Sequence, residues 1–297
     1  MFVQPEWRLP TTQQVDRVIA GLRRAVRLHS DPFVAVDLFV GLNPDLIFAY
    51  DPLVVTSTRK QFSVGIKSTW SIQNLIRWQG HTVCLDSSWR NKNENSAPLT
   101  FVTTTNAASH MDMVPCAAFL SADITSASLQ HLLEALEDEV LTEARAIYKG
   151  LRKQTEVKVL VMNARTIVEA RSWRPASVMI DKCQAELNAL QSALVTDVGL
   201  HAGQTRDGIN TNNTIERAFK TFDEIFLACR VNKRVDRVVQ VLACDWLVYY
   251  ELYSSEEPRL SPKDRKTMLD AHHLWETQAV VPVGTSGTSF CVRGSDV

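Results

Sequence analysis

A chain of 297 residues, 45% of them hydrophobic and 22% charged, has an ordinary globular composition and enough length for one large core or two modest ones. Its formal net charge of −1 supplies no global basic field, so contact with nucleic acid would have to come from a local patch. Six cysteines, at 84, 116, 183, 229, 244 and 291, form no Cys-x-x-Cys pair and read as free thiols of a reducing compartment, which argues against a disulfide framework. Apolar runs all fall well short of the roughly 18 residues of a membrane span. Charges and prolines break up the first ten residues, so no signal peptide is expected and the protein reads as intracellular.

In chain order, residues 1–45 read as peripheral. A helix is predicted over 12–28, with Val15, Val18, Ile19, Leu22 and Val26 on one face and Arg17, Arg23, Arg24 and Arg27 around it. That basic side could meet phosphates, though a solvated face explains it more simply. Short strands are predicted over 46–50 and 61–66, and a helical turn over 71–78. Three strands follow, at 82–85, 99–105 and 114–119, then a long amphipathic helix over 126–149 with Ser126 as a plausible N-cap. Residues 157–168 fit strand or helix equally. A short apolar strand is predicted at 177–180, a helix at 184–194, a loop at 196–213, helices at 214–230, 235–250 and 262–275, and a loose Gly/Ser-rich tail from 283.

The order strand, strand, strand, helix, strand, helix is that of an α/β, RNase H-like mixed sheet followed by C-terminal helices. In that arrangement the first and fourth strands of the set are neighbours. Asp86 ends the first, in Val83-Cys84-Leu85-Asp86, and Asp181 ends the fourth, in Val178-Met179-Ile180-Asp181. Two carboxylates at adjacent strand ends can share divalent metal ions, because hard cations prefer charged oxygen ligands. Glu216, in Asn212-Asn213-Thr214-Ile215-Glu216, is the third candidate. Each has a simpler role available: strand-end aspartates cap turns, and acids in a helix's first turn suit its dipole. No zinc-ligand spacing, Gly-rich phosphate loop, nucleophile elbow or dinucleotide fingerprint is present. Trp246, Tyr249 and Tyr250 could stack on a base, but core packing is the expected role.

Three stretches together resemble the catalytic domain of Mutator-like element (MULE) transposases, most closely the fungal branch, over roughly residues 46–285. They are Asp86-Ser87-Ser88-Trp89 with the strands that follow it, Arg174-Pro175-Ala176-Ser177-Val178-Met179-Ile180-Asp181 with Lys182 to Leu190, and Gly203-Gln204-Thr205-Arg206-Asp207-Gly208 with Thr211 to Phe222. The resemblance implies a DDE transposase core, with Asp86, Asp181 and Glu216 as catalytic residues and ligands of Mg²⁺ or Mn²⁺. It implies DNA, the transposon ends, as partner, no membrane association, homo-oligomerisation and a nuclear location. It divides the chain into an N-terminal remnant with a basic helix (1–45), an RNase H-like core (46–230), a helical segment (231–282) and a tail resembling a truncated SWIM lead-in (283–297). The family places a fifth strand, a Cys-x-x-His motif and a helical insertion between the second aspartate and the third acid. Only 34 residues, 182 through 215, lie there in this chain, so the fifth strand is expected to be missing from an internally deleted, truncated copy. No zinc site is expected, because Cys291 stands alone in the SWIM-like tail. The alternative to catalysis is a transposase-derived scaffold that binds DNA or protein without cleaving.

Overall fold

The computed structural model describes residues 27–57, 60–88, 93–106, 112–152, 158–180, 183–193, 199–200, 213–227, 233–252, 266–267, 269–270, 272, 280–283 and 289–292. The predicted basic helix over 12–28 lies outside these except for Arg27 and Leu28, which are not helical. The first described helix is instead α1, Pro32–Leu42. The Asp31 carboxylate caps it, accepting hydrogen bonds from the Phe33 and Val34 amides at 2.8 and 3.0 Å, and Pro32 opens its first turn. Those two amides hold the Asp31 carboxyl below its usual range. A carboxyl depressed in the folded state stabilises above its unfolded pKa and loses that contribution as pH falls through the folded value. Asp31→Ala is therefore expected to lower the melting temperature at pH 7, with the gap from wild type closing below about pH 4. Thermal melts from pH 7 to pH 2.5 check this, and a gap independent of pH would contradict it.

Strand β1, Ile47–Val55, pairs antiparallel with β2, Lys60–Ile66. It runs five residues beyond its predicted end, through Pro52. Pro52 is tolerated because β1 is the edge of the sheet and a register shift falls between Asp51 and Val54. Helix α2, Thr69–Arg77, starts on a reciprocal cap in which Ser71 N donates to Ser68 Oγ at 3.1 Å and Ser68 N to Ser71 Oγ at 2.8 Å. The chain continues through β3 (Thr82–Ser88), β4 (Leu99–Asn106) and β5 (Asp112–Ser121), then α3 (Ser126–Tyr148). The N-cap of α3 is Thr125, one residue before the Ser126 expected from the sequence. The segment that fitted strand or helix is helix α4, Lys158–Ala170, whose buried Leu160, Ala164 and Ile167 follow helical spacing.

Strand β6, Ser177–Ile180, leads into α5, Gln184–Ala193, and then into β7, Gly199–Leu200, paired parallel with β6. No further strand was expected between Asp181 and Glu216, and a two-residue one stands beside β6; the 34-residue spacing holds α5, this stub and the first turn of the next helix. That helix, α6 (Asn213–Thr221), runs into a π turn at Phe222–Phe226. Helix α7 (Val235–Gln240), a second π turn (Val241–Trp246) and α8 (Leu247–Leu252) follow. The expectation of a loose tail also needs correction: β8 (Val280–Val283) and β9 (Ser289–Val292) pair antiparallel as a separate ribbon, because Val280, Val281, Val283 and Val292 favour strand despite the glycines between. Of the predicted helix over 262–275, the described residues 266–267, 269–270 and 272 are helical.

The result is α/β: among the described residues, a mixed, open sheet of seven strands in the order β1-β2-β5-β4-β3-β6-β7, with helices on both faces. Antiparallel pairing joins β1 through β3, and parallel pairing joins β3, β6 and β7. One face packs against α2, α3, α4 and α5 through residues such as Leu85, Val102, Phe119, Leu132, Leu136 and Leu190. The other packs against α1, α6, α7 and α8 through Cys84, Phe101, Met179, Phe219 and Trp246. The alternation Cys84 to one face and Leu85 to the other is the two-residue pleat of a strand buried on both sides.

Candidate metal centre

The register of β3 and β6 determines what stands at their ends. Thr82 pairs with Ser177, Val83 with Val178, Cys84 with Met179 and Leu85 with Ile180. Buried hydroxyls pin the start of this ladder: Thr82 Oγ1 and Ser177 Oγ are 2.9 Å apart, and Thr104 Oγ1 donates to the Thr82 carbonyl at 3.1 Å. The residue before Asp86 is therefore hydrogen-bond neighbour to the residue before Asp181. Parallel strands present their carboxyl ends together, which is where open α/β sheets bind ligands. Asp181 itself lies outside the described residues.

Asp86 is half-buried and still within β3. Its Oδ1 accepts from Ser87 N at 2.8 Å, and Ser87 Oγ lies 2.9 Å from Thr100 Oγ1 on the neighbouring strand. Asp86 pairs across β4 with Phe101, so both project from the Cys84 face of the sheet. Helix α6 covers that same face. Its Ile215 and Ala218 are fully buried, and Phe219 stacks on Phe101 with ring centroids 4.5 Å apart. Glu216, in the first turn of α6, is exposed. Asp86 and the helix bearing Glu216 thus share one face through the Phe101–Phe219 contact.

Chemically, Asp86 offers a hard oxygen donor of the kind that Mg²⁺ and Mn²⁺ take, at a half-buried strand position beside β6. Among the described residues no group of three or more His, Cys, Asp or Glu side chains is arranged to hold a metal ion. No described helix is long and apolar enough to cross a membrane. Trp246 and Tyr249 are buried in the core, as expected, with Trp246 stacked on Phe101 at 4.4 Å. Of the described cysteines, none is in a disulfide; Cys84 and Cys116 are buried and Cys183 and Cys244 half-buried. Burial pushes the Cys116 thiol far above its ordinary range, which removes it as a nucleophile.

What sequence reasoning missed here is the aromatic support under the site. Phe101, Phe219, Phe222 and Trp246 come from three distant segments and form one stack behind Asp86. The available signal was Phe101 lying one strand away from Asp86, which the cross-strand register alone turns into a contact. No family model matches the chain, and no curated protein or solved structure matches it either.

Proposed function

We propose that this chain is an RNase H-like core of the DDE transposase kind, acting on DNA phosphodiesters with a divalent metal held by Asp86 and Asp181. The observation that carries the reading is the parallel pairing of Leu85 with Ile180, which sets β3, two residues before whose end Asp86 stands, beside β6, which Asp181 follows in the sequence. Further support comes from the order β5-β4-β3-β6-β7, in which β3 pairs antiparallel with β4 on one side and parallel with β6 on the other. A helix carrying an acid then returns over the sheet, as the third member of a DDE set requires. The bound Mg²⁺ or Mn²⁺ would lower the pKa of water and offset charge at the phosphate under in-line attack. Asp86, with Asp181, would supply the anchoring carboxylates, and Glu216 would close the site from α6. The DNA would be a transposon end and the setting the nucleus, with a second copy of the chain as assembly partner.

A second reading is a non-catalytic scaffold that keeps the fold and binds DNA or protein. Two observations favour it: Glu216 is exposed, and β7 is only two residues long.

Titration of the full chain with Mn²⁺, followed by calorimetry, separates these. Catalysis predicts binding in wild type, loss of at least about tenfold in affinity in Asp86→Asn and in Asp181→Asn, and metal-dependent nicking of a DNA duplex. Mn²⁺ affinity left unchanged by Asp86→Asn removes Asp86 as a ligand and sinks the catalytic reading. DNA affinity that falls steeply with salt, without cleavage, identifies the scaffold.

A further inference from the structure

We propose that the outward face of α3 is a self-association surface, on which a second copy of this chain docks its own α3 antiparallel about a two-fold axis. This gives the assembly partner named above its surface. It rests on that part of the reading alone and needs neither metal nor DNA.

The face follows from helical spacing. Leu129, Leu133, Leu136, Val140 and Ile147 are buried against the sheet. On the opposite side Ala127, Glu134, Asp138, Thr142, Arg145 and Lys149 are all exposed and form one straight stripe. Its charges are segregated, with the two acids in the N-terminal half and the two bases in the C-terminal half. The acids that leave α3 sideways are satisfied within the chain: Glu137 by Arg174 at 2.9 Å, Glu139 by Lys67, and Glu143 by Arg152 at 2.6 Å. On the outward stripe, Glu134 accepts from Gln130 Nε2 of the same helix at 2.7 Å. Among the described residues, no hydrogen bond or ion pair engages the side chain of Asp138, Arg145 or Lys149.

This layout works against an isolated helix. Glu134 and Asp138 are like charges four apart, as are Arg145 and Lys149, and such pairs repel. The bases suit the C-terminal end of the helix dipole, but the acids stand in the third and fourth turns, past its reach. An antiparallel second copy relieves both repulsions. With the axis between Leu141 and Thr142, Asp138 and Arg145 lie about 5 Å to either side along the helix, and Glu134 and Lys149 about 11 Å. Asp138 of each copy then faces Arg145 of the other, and Glu134 faces Lys149, so the surface is complementary to itself. A parallel pair would set acid on acid and base on base. Tyr148 and Leu151, 51% and 72% exposed beside the bases, add apolar surface at both ends of the pair.

Sedimentation velocity of the full chain over about 10–500 µM is expected to show a monomer–dimer equilibrium that weakens with added salt. Asp138→Lys and Arg145→Glu should each weaken it by about tenfold or more, because each sets like charges across the axis. Both variants are expected to fold, since each turns a like-charge pair four apart into a Glu-to-Lys pair. An equimolar mixture of the two should regain the dimer, because the two substituted positions are complementary to one another. A short bismaleimide should join two copies through Thr142→Cys, beside the axis, and not through Ala127→Cys, about 40 Å from its own copy. A wild type that stays monomeric across that range, single variants that associate as wild type does, a mixture that stays monomeric, or equal cross-linking through both cysteines overturns the proposal. Mn²⁺ titration of Asp138→Lys and Arg145→Glu is expected to match wild type, so loss of the dimer is read separately from loss of the metal centre.

Discussion

Trp246→Ala is expected to lower the unfolding free energy by about 3–5 kcal/mol, read from urea denaturation. Trp246 is fully buried on the second π turn. Its ring lies flat on Phe101, centroids 4.4 Å apart and planes 9° from parallel, and meets Phe222 and Tyr250 edge-on at 6.3 and 5.9 Å. Those neighbours come from β4, the first π turn and α8, so none can collapse into the void without breaking its own packing. The cost should therefore reach the upper part of the range for large-to-small core changes. Trp246→Phe is the informative control. The indole Nε1 is buried without a hydrogen-bond partner among the described residues. Phenylalanine removes that orphan donor while keeping most of the ring stack, so its loss should be about 1–2 kcal/mol. Because Phe101 pairs with Asp86 across the sheet, the proposed metal role of Asp86 predicts that Trp246→Ala weakens Mn²⁺ binding and that Trp246→Phe does not. A loss below about 1 kcal/mol in Trp246→Ala would mean that the stack is not part of the cooperative core.

Most of the central sheet was legible because its elements obey one period each. Strands at 99–105 and 177–180 are β-branched or apolar runs bounded by polar turns, and the helix over 126–149 keeps a clear apolar stripe. Helix α1 was not legible because Pro32-Phe33-Val34-Ala35-Val36-Asp37-Leu38-Phe39-Val40-Gly41-Leu42 is apolar nearly all round and has no stripe to detect. Its start was written in Asp31-Pro32, a capping acid before a first-turn proline. β7 was missed because two residues, Gly199 and Leu200, carry no period; only their pairing with Ser177 and Val178 defines them. At the candidate site, the apolar runs before Asp86 and Asp181 mark their strands from local sequence, although β3 runs on to Ser88 and so holds Asp86 inside the strand rather than at its end. The face on which Asp86 lies, and the anchoring of α6 to it through Phe219, depend on cross-strand register, which no local pattern encodes.

The second large effect falls on the opposite face of the sheet, at Glu143 of α3. This residue is 4% exposed, yet it carries a carboxylate in the layer that buries Leu136, Val140 and Ala144. Two groups satisfy it. Gln73 Nε2, from α2, donates to Oε1 at 2.8 Å. Arg152 grips both oxygens, with Nε at 3.1 and 3.0 Å and Nη2 at 2.6 Å from Oε2. Arg152 reaches back because α3 ends in a reversal at Gly150, whose φ of 69° suits glycine; Leu151 N donates to Ala146 O and Gly150 N to Ile147 O, each at 3.0 Å. Arg152→Ala leaves the buried carboxylate with Gln73 alone, and an under-compensated buried charge is the expensive half of a broken pair. Because Arg152 is 45% exposed and water can replace part of it, the expected loss is about 2–3 kcal/mol rather than the larger cost of a fully buried break. Glu143→Leu should cost less, since a leucine fits the apolar layer and the released guanidinium reaches water. The double variant should be no worse than Glu143→Leu alone, because Arg152 has nothing left to neutralise. Denaturation of the three variants checks the ordering. If Arg152→Ala is milder than Glu143→Leu, the guanidinium is a surface ornament and Gln73 alone holds the carboxylate between α2 and α3.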